Sequence, residues 1–376
     1  MYGRLPQFLP PARDYWLVFR YERQGIPDAQ VADMLASEVA AVLPVAKRRN
    51  LHVVGVQLDI DSPTASLAQY ATFLSKIREE LPDAKLSITA LLDWFRDGTA
   101  IGQVIAQVDE FVPQFYDALP ADNSGYSALG VPIDTARWNA RFNRFRKRFR
   151  IGIPSFGRSL ARLNKYPGPY RRSLGYYSDP RPLDFAVNPA FQLEGKTNSV
   201  HEIILNYRAR QQVRVGFPYI EAGDVMQFIL ATPESVHAAF QSARQFSGYF
   251  AGVIFFRWPS ANESYFMQPD EVLAAAGERS ATASSRVHIR QGHCAAVECV
   301  DVYLESLKPL SPQPVRYRIH SSTDLEYFMP ADQMPARLVG TEDIEVSLPP
   351  YCGRGRLLLG RAVSLKHADF AVEEVK

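Results

Sequence analysis

The stretch VVGVQLDIDSP, residues 53–63, decides how the rest of the chain is read. Its first seven residues are rich in valine and leucine, as expected of a strand buried on both faces of a parallel sheet. The side-chain period of two places Asp59 and Asp61 on one side and Leu58 and Ile60 on the other. Two like charges at the end of so apolar a strand are costly unless they are hydrogen-bonded or share a proton. Such a pair serves stability badly and a functional site well.

Outward from this strand the chain alternates. DYWLVFRYE reads as a strand, DAQVADMLASEVAAVLPVAKRRN as an amphipathic helix and SLAQYATFLSKIREEL as the helix after the 53–61 strand. The strand AKLSITALLDWF, the short helix GTAIGQVIAQV and the strand EFVPQFYD follow. The helix IDTARWNARFNRFRKRF leads into RIGIPSFGRSL, and TPESVHAAFQSARQF and AGVIFFRWP form a last helix and strand. Between residues 165 and 225 the regularity lapses. Alternation of this kind predicts a parallel sheet covered by helices, either doubly wound or closed into a (β/α) barrel. The polar segment 277–286, GERSATASSR, reads as a linker, and residues 287–376 as short strands forming an all-β sandwich. The expected organisation is therefore a barrel domain over 1–276, the linker, and a C-terminal module.

With 376 residues, a net charge of +2 and 22% charged residues, composition gives no argument for a nucleic-acid partner. The one arginine-rich run, 137–150, carries Trp138, Phe142, Phe145 and Phe149 at helical spacing, which suits a helix packed outside a barrel. No run approaches 18 apolar residues, so no membrane span is expected. His288 and His293 lack zinc-ligand spacing, and phosphate-loop, dinucleotide and nucleophile-elbow patterns are absent, so neither a metal nor a cofactor is expected. Three cysteines, Cys294, Cys299 and Cys352, leave open a disulfide involving Cys352 or free thiols.

Polar residues gather where the strands end: Arg20 and Glu22, Asp59 and Asp61, Asp93 and Trp94, then Gln114, Tyr116 and Asp117, Arg158 after the next strand, and Arg257 and Trp258 at the last. In a (β/α) barrel these ends form the face that carries active sites. Carboxylates mixed with tyrosine and tryptophan suit a carbohydrate, whose rings stack on aromatics while acids act at the glycosidic bond.

Several of these stretches resemble one family. VVGVQLDID resembles the fourth strand of glycoside hydrolase family 18, the chitinase-like barrels, with its Asp-x-Asp-x-Glu signature; EFVPQFYD resembles the sixth, RIGIPSFGRSL the seventh and AGVIFFRW the last. The wording GVQLDIDSPTASLAQYATFL with LSITALLDWF is similar to a bacterial family, domain of unknown function 3142, placed among glycosidase-like barrels. The resemblance implies that Asp59 holds Asp61, that Asp61 stabilises the oxocarbenium-like centre or orients a substrate amide, and that Tyr116 hydrogen-bonds beside it. The family's catalytic glutamate falls at Pro63, and Gln114 replaces its methionine, which argues against chitinase activity. The general acid would then be Asp93 or Asp117, with Glu22 next, and Trp94 and Trp258 would be stacking floors. Arg20, Glu22, Gln114, Arg158 and Arg257 are the remaining substrate-binding candidates.

Three functions compete: a glycoside hydrolase acting on a polysaccharide, a silent carbohydrate-binding barrel, and an envelope scaffold. If LDID ends a fourth strand, residues 1–52 hold only one of the three strands before it, since a βα unit takes about 30 residues. The expectation is a barrel short of its first one or two βα units, unless strands near 201–219 or 225–232 fill the gap. A signal peptide would be lost with the missing part, so the compartment stays open: secreted, periplasmic or envelope-associated, or otherwise cytoplasmic.

Overall fold

A computed structural model describes residues 9, 11–21, 25–116, 129–162, 181–198, 202–215, 219–257, 267–277, 285–292, 294, 298–306, 313–331, 334–350 and 355–375. Glu22, Asp117, Trp258, His293, Cys352 and most of the expected linker lie outside them. The chain divides into two compact units: Met1–Ala118, Gly130–Pro154 and Ala238–Phe256 in the first, and Leu119–Leu129, Ser155–His237 and Arg257–Lys376 in the second.

In chain order the elements begin β1 Tyr15–Tyr21, α1 Ala29–Arg48, β2 Val53–Ile60, α2 Leu67–Glu80, β3 Lys85–Ala90, α3 Ile101–Ala106, β4 Glu110–Pro113, α4 Thr135–Asn143 and β5 Arg148–Pro154. They continue β6 Arg158–Arg162, α5 Pro182–Ala186, β7 Phe191–Asn198, β8 Ile203–Ala209, β9 Val213–Arg214, β10 Tyr219–Ile220, β11 Val225–Leu230, α6 Pro233–Ala243, β12 Phe250–Phe256 and α7 Pro269–Ala275. The last stretch holds β13 Arg286–Gln291, β14 Glu298–Ser306, β15 Val315–Ser321, β16 Leu325–Pro330, β17 Ala336–Val339, β18 Asp343–Leu348, β19 Gly355–Ser364 and β20 Phe370–Val375.

The first unit is a parallel half-barrel sheet in the order β1-β2-β3-β4-β5-β12. The order never reverses, so the sheet is wound in one direction and is not doubly wound. One face is apolar: Val56, Leu58 and Ile60 of β2, Leu86, Ile88 and Ala90 of β3, Phe111 of β4 and Phe149, Ile151 and Ile153 of β5. Ala32, Leu35 and Val39 of α1, six side chains of α2, and Trp138 and Phe142 of α4 cover it. The helices start where the sequence supplies caps. Asp28 accepts the Val31 N–H at 3.0 Å ahead of α1, and Asp134 accepts the Arg137 N–H at 3.1 Å ahead of α4.

One reading is corrected here. The aromatic stripe does not lie on one helix: α4 stops at Asn143, Arg146 takes a left-handed φ of 54°, and Phe149 enters the same core from β5. At 20 residues and a mean hydropathy of 1.3, α1 is long and apolar enough to cross a membrane by length and composition alone. Its buried stripe nevertheless packs on the sheet.

The second unit holds antiparallel sheets. β6-β11-β8-β7 is one, so RIGIPSFGRSL is not a single strand: β5 stays in the parallel sheet and β6 pairs with β11. The strands at 203–209 and 225–230 belong to this antiparallel sheet and do not extend the parallel one. The last eight strands form two four-stranded sheets, β13-β14-β19-β16 and β17-β18-β15-β20. One apolar cluster draws side chains from both: Val302, Leu304, Leu357 and Leu359 from the first, Tyr317, Ile319, Ile344 and Val346 from the second. Cys294 and Cys299 form a disulfide across the start of β14, a pairing the sequence reading did not single out.

Candidate functional site

The face of the parallel sheet opposite the described helices of the first unit is polar. Low on it, Glu110 of β4 is buried and paired with Arg150 at 2.8 Å and Arg148 at 3.7 Å, both from β5. The side chain of Gln57 donates to Ser87 at 3.1 Å. A cavity of about 670 Å³ lies against these groups, with Trp16 and Val18 of β1 and Ile254 of β12 on its wall.

Higher on the same face, Asp59 is the centre of a network reaching from β1 to the end of β4. It is 6% exposed. Arg20 donates to its Oδ2 at 2.9 Å, and Thr89 and Gln114 donate to its Oδ1 at 2.7 and 3.4 Å. In-register parallel pairing causes this convergence: Arg20 faces Asp59 across β1 and β2, and Ile88 pairs with Leu58, setting Thr89 beside Asp59. Each donor comes from a different strand, so the carboxylate fixes the spacing of the strand ends. Its charge is offset by Arg20, half of whose side chain remains exposed.

Asp61 follows β2 and is exposed at the strand's end. The backbone then turns, with the Ser62 N–H donating to the Ile60 carbonyl at 2.9 Å and the 3-10 turn Thr64–Ser66 beginning after Pro63. The Thr64 hydroxyl donates to Asp93 Oδ2, which carries the Asp93 carboxylate to the turn next to Pro63. Tyr70 of α2 is fully buried, and burial, followed by the charges of Asp59 and Asp61, pushes its phenol well above the usual tyrosine range.

Tyr116 lies beyond β4, 7% exposed, its ring stacked on Phe256 at 4.8 Å between centroids and 12° between planes. Gly152 makes room for it. A Cβ at that position would stand 2.8 Å from Tyr116 Cε1 and 3.3 Å from the Pro113 carbonyl oxygen. Gln114 and Tyr116 are thus fixed at one rim with Arg20, Asp59 and Thr89, all within the first unit.

Other candidates lie elsewhere. Trp94, expected as a stacking floor, is wholly buried: its Nε1 donates to the Ser62 carbonyl at 2.9 Å and its ring packs edge-on against Tyr70. With no free face it can carry no sugar, and its role is to pin the turn after β2 onto α2. Arg158 and Arg257 belong to the second unit. Thr64, Thr89, Gly152 and Phe256 were missed from sequence. Thr89 sits one strand over at the level of Asp59, a signal that only register reveals. Also missed was Glu202, a buried carboxylate of the second unit that accepts the Leu129 N–H at 3.1 Å. Burial raises its pKa above the usual glutamate value, and the Leu129 N–H pulls the other way.

Residues 13–166 match the family model described as Domain of unknown function (DUF3142), the resemblance drawn from the sequence. That stretch holds β1 through β6. No curated protein matches the chain. Among solved structures, the spore cortex-lytic enzyme SleL of Bacillus megaterium QM B1551 is similar at 15% identity and a TM-score of 0.41, over 71% of this chain and 60% of that one. SleL of Bacillus cereus is similar at 14% identity and 0.42, over 69% and 58%. The chitinase-like agglutinin RobpsCRA of Robinia pseudoacacia follows at 15% and 0.35, over 66% and 75%. The chain thus spans about 60% of the length of the SleL structures.

Proposed function

We propose that the protein is a glycoside hydrolase-like protein that acts on a polysaccharide at the rim carrying Asp61, Asp93 and Tyr116. The reading takes the half-barrel as part of a (β/α) barrel and the two C-terminal sheets as a sandwich. One observation carries it. Where the chitinase-like pattern has its acid, this chain has Pro63, and the hydrogen bond from Thr64 brings the carboxylate of Asp93 to that turn. Asp93 then protonates the glycosidic oxygen as its bond to the anomeric carbon breaks, Asp61 stabilises the positive charge left there, and water adds to that carbon, losing its proton back to Asp93. Asp59, engaged by three donors, is a positioning residue. The disulfide between Cys294 and Cys299 supports an oxidising compartment, such as the cell surface where polysaccharides lie.

A second reading, binding without cleavage, is favoured by Pro63 itself, which cannot donate a proton. Incubation with a panel of bacterial exopolysaccharides, followed by analysis of released oligosaccharides, separates the two. On the hydrolase reading Asp61→Asn and Asp93→Asn each lower the rate by roughly 10²–10⁴-fold, the usual share of a positioned acid or charge stabiliser. Retention of polymer with no release, in wild type and variants alike, selects the binding reading. Full activity in both variants removes the assignment.

A further inference from the structure

The outward face of the β13-β14-β19-β16 sheet has an arrangement that core packing does not explain. Register assigns its side chains. Tyr303 of β14 pairs with Leu358 of β19, Asp301 with Arg361, and Val363 with Tyr327 of β16. Their neighbours in sequence, Val302, Leu304, Leu357, Leu359 and Phe328, point the other way into the shared apolar cluster. Tyr327 is 58% exposed, and Tyr303 is half-buried beneath the guanidinium of Arg356, 5.0 Å from its ring centroid. At about 4.8 Å between strands and 3.4 Å per residue, the two tyrosines stand roughly 17 Å apart across the sheet, a span of several sugar rings.

The charges on this face are not balanced. Asp301 accepts from Arg361 at 2.8 and 3.3 Å and Glu305 lies 2.6 Å from His288 Nε2, whereas Glu326, next to Tyr327, is exposed. Arg286, Arg290 and Arg356 are exposed, and none makes an ion pair with a described carboxylate. A sheet face that offers the exposed ring of Tyr327, and Tyr303 capped by Arg356, beside arginines with no ion pair to a described carboxylate fits a polymer with both apolar ring faces and negative charges. Arginine matches carboxylate and sulfate in a planar fork, and the sugar ring lies on the aromatic.

We propose that this face binds an anionic polysaccharide, one bearing uronate or sulfate groups, and holds it to the protein independently of the half-barrel rim. The inference rests on the carbohydrate reading above and adds the charge of the polymer and a second place of contact. Affinity electrophoresis of the full chain tests it, in gels containing polygalacturonate, a sulfated galactan, the carboxyl-reduced form of polygalacturonate, or double-stranded DNA. The expected result is retardation by one or both acidic polymers, little by the reduced polymer or DNA, and loss in roughly 0.5 M salt. The two acidic gels tell uronate from sulfate. Arg290→Gln with Arg356→Gln, and separately Tyr327→Ala, weaken retention at least about tenfold while leaving the circular dichroism unchanged. Asp61→Asn retains binding.

Unchanged retention in the arginine and tyrosine variants overturns the proposal. So does equal retention by DNA, which would mark the face as a charge patch without sugar preference. If Asp61→Asn abolishes retention while the sheet variants keep it, the rim reading stands and this one falls. If no gel retards the protein, this proposal fails whatever the release assay shows, because that assay tests the rim separately.

Discussion

The strands β2 to β5 carry two opposite chemistries on their two sides. Toward the helices lie rings and branched chains: Phe111, Phe142 and Phe149 meet one another at 5.3–6.1 Å between centroids. On the other side the same strands and the residue after β4 present Asp59, Thr89, Gln114, Glu110 and Arg150, all hydrogen-bonded. A closed (β/α) barrel ordinarily fills that second side with branched apolar residues. Here the helix side carries the stability, and the opposite side is organised by charge.

The largest effect should come from the helix side. Phe142 is fully buried among six aromatic neighbours. Phe142→Ala should cost about 3–5 kcal/mol of unfolding free energy, read from the denaturant midpoint. A loss under about 1 kcal/mol would mean that the aromatic cluster is not the core. Trp94→Ala should fall in the same range, since the ring is core and not site. Trp94→Phe should then leave ligand retention unchanged, and selective loss of retention without loss of stability would restore the stacking role read from sequence.

An intermediate effect should come from the opposite side. Gly152→Ala pushes the Tyr116 ring off the strand and should cost about 1–3 kcal/mol through overpacking. It should reduce polysaccharide release as Tyr116→Ala does, which ties the glycine to the rim through one contact. A variant that loses stability alone would separate Tyr116 from function.

How much of this contrast was legible follows from the range of each signal. The side taken by Asp59 was legible because strand parity is a local property, whereas Asp61 follows the end of β2, where parity no longer applies; the match over residues 13–166 agrees with the family resemblance read there. Phe149 was placed in the right core but on the wrong element, because positions 138, 142, 145 and 149 satisfy a helical period up to a break at Arg146 that the pattern does not announce. Trp94 misled because an aromatic after a carboxylate looks like a site, whereas its burial depends on Tyr70, 24 residues earlier on α2. The β6-β11-β8-β7 sheet was not seen because its strands pair across up to some 70 residues. Partners at that separation leave no local trace.

The smallest effect is a pH dependence in the second unit. Burial raises the pKa of Glu202 in the folded chain above its unfolded value. Its contribution to stability is therefore full below the ordinary glutamate pKa and is lost as pH rises through the raised folded value. Glu202→Gln should flatten the stability profile just above the ordinary glutamate range and leave the variant no less stable at neutral pH. A profile identical to wild type, measured by thermal melts across that window, would show that the carboxyl titrates as if exposed.

The disulfide between Cys294 and Cys299 has a consequence for how the protein is handled. It closes a loop six residues long at the connecting end of the β13–β14 hairpin, where the Gly292 N–H donates to the Cys299 carbonyl at 2.8 Å. Arg290 is two positions from that hydrogen bond. Material produced in a reducing cytosol would carry the dithiol, and the hairpin end would fray into a mixture of conformers beside that arginine. Batches from reducing and oxidising hosts would then migrate differently in the same gel with an identical sequence, and a thiol titration of each batch would account for the difference.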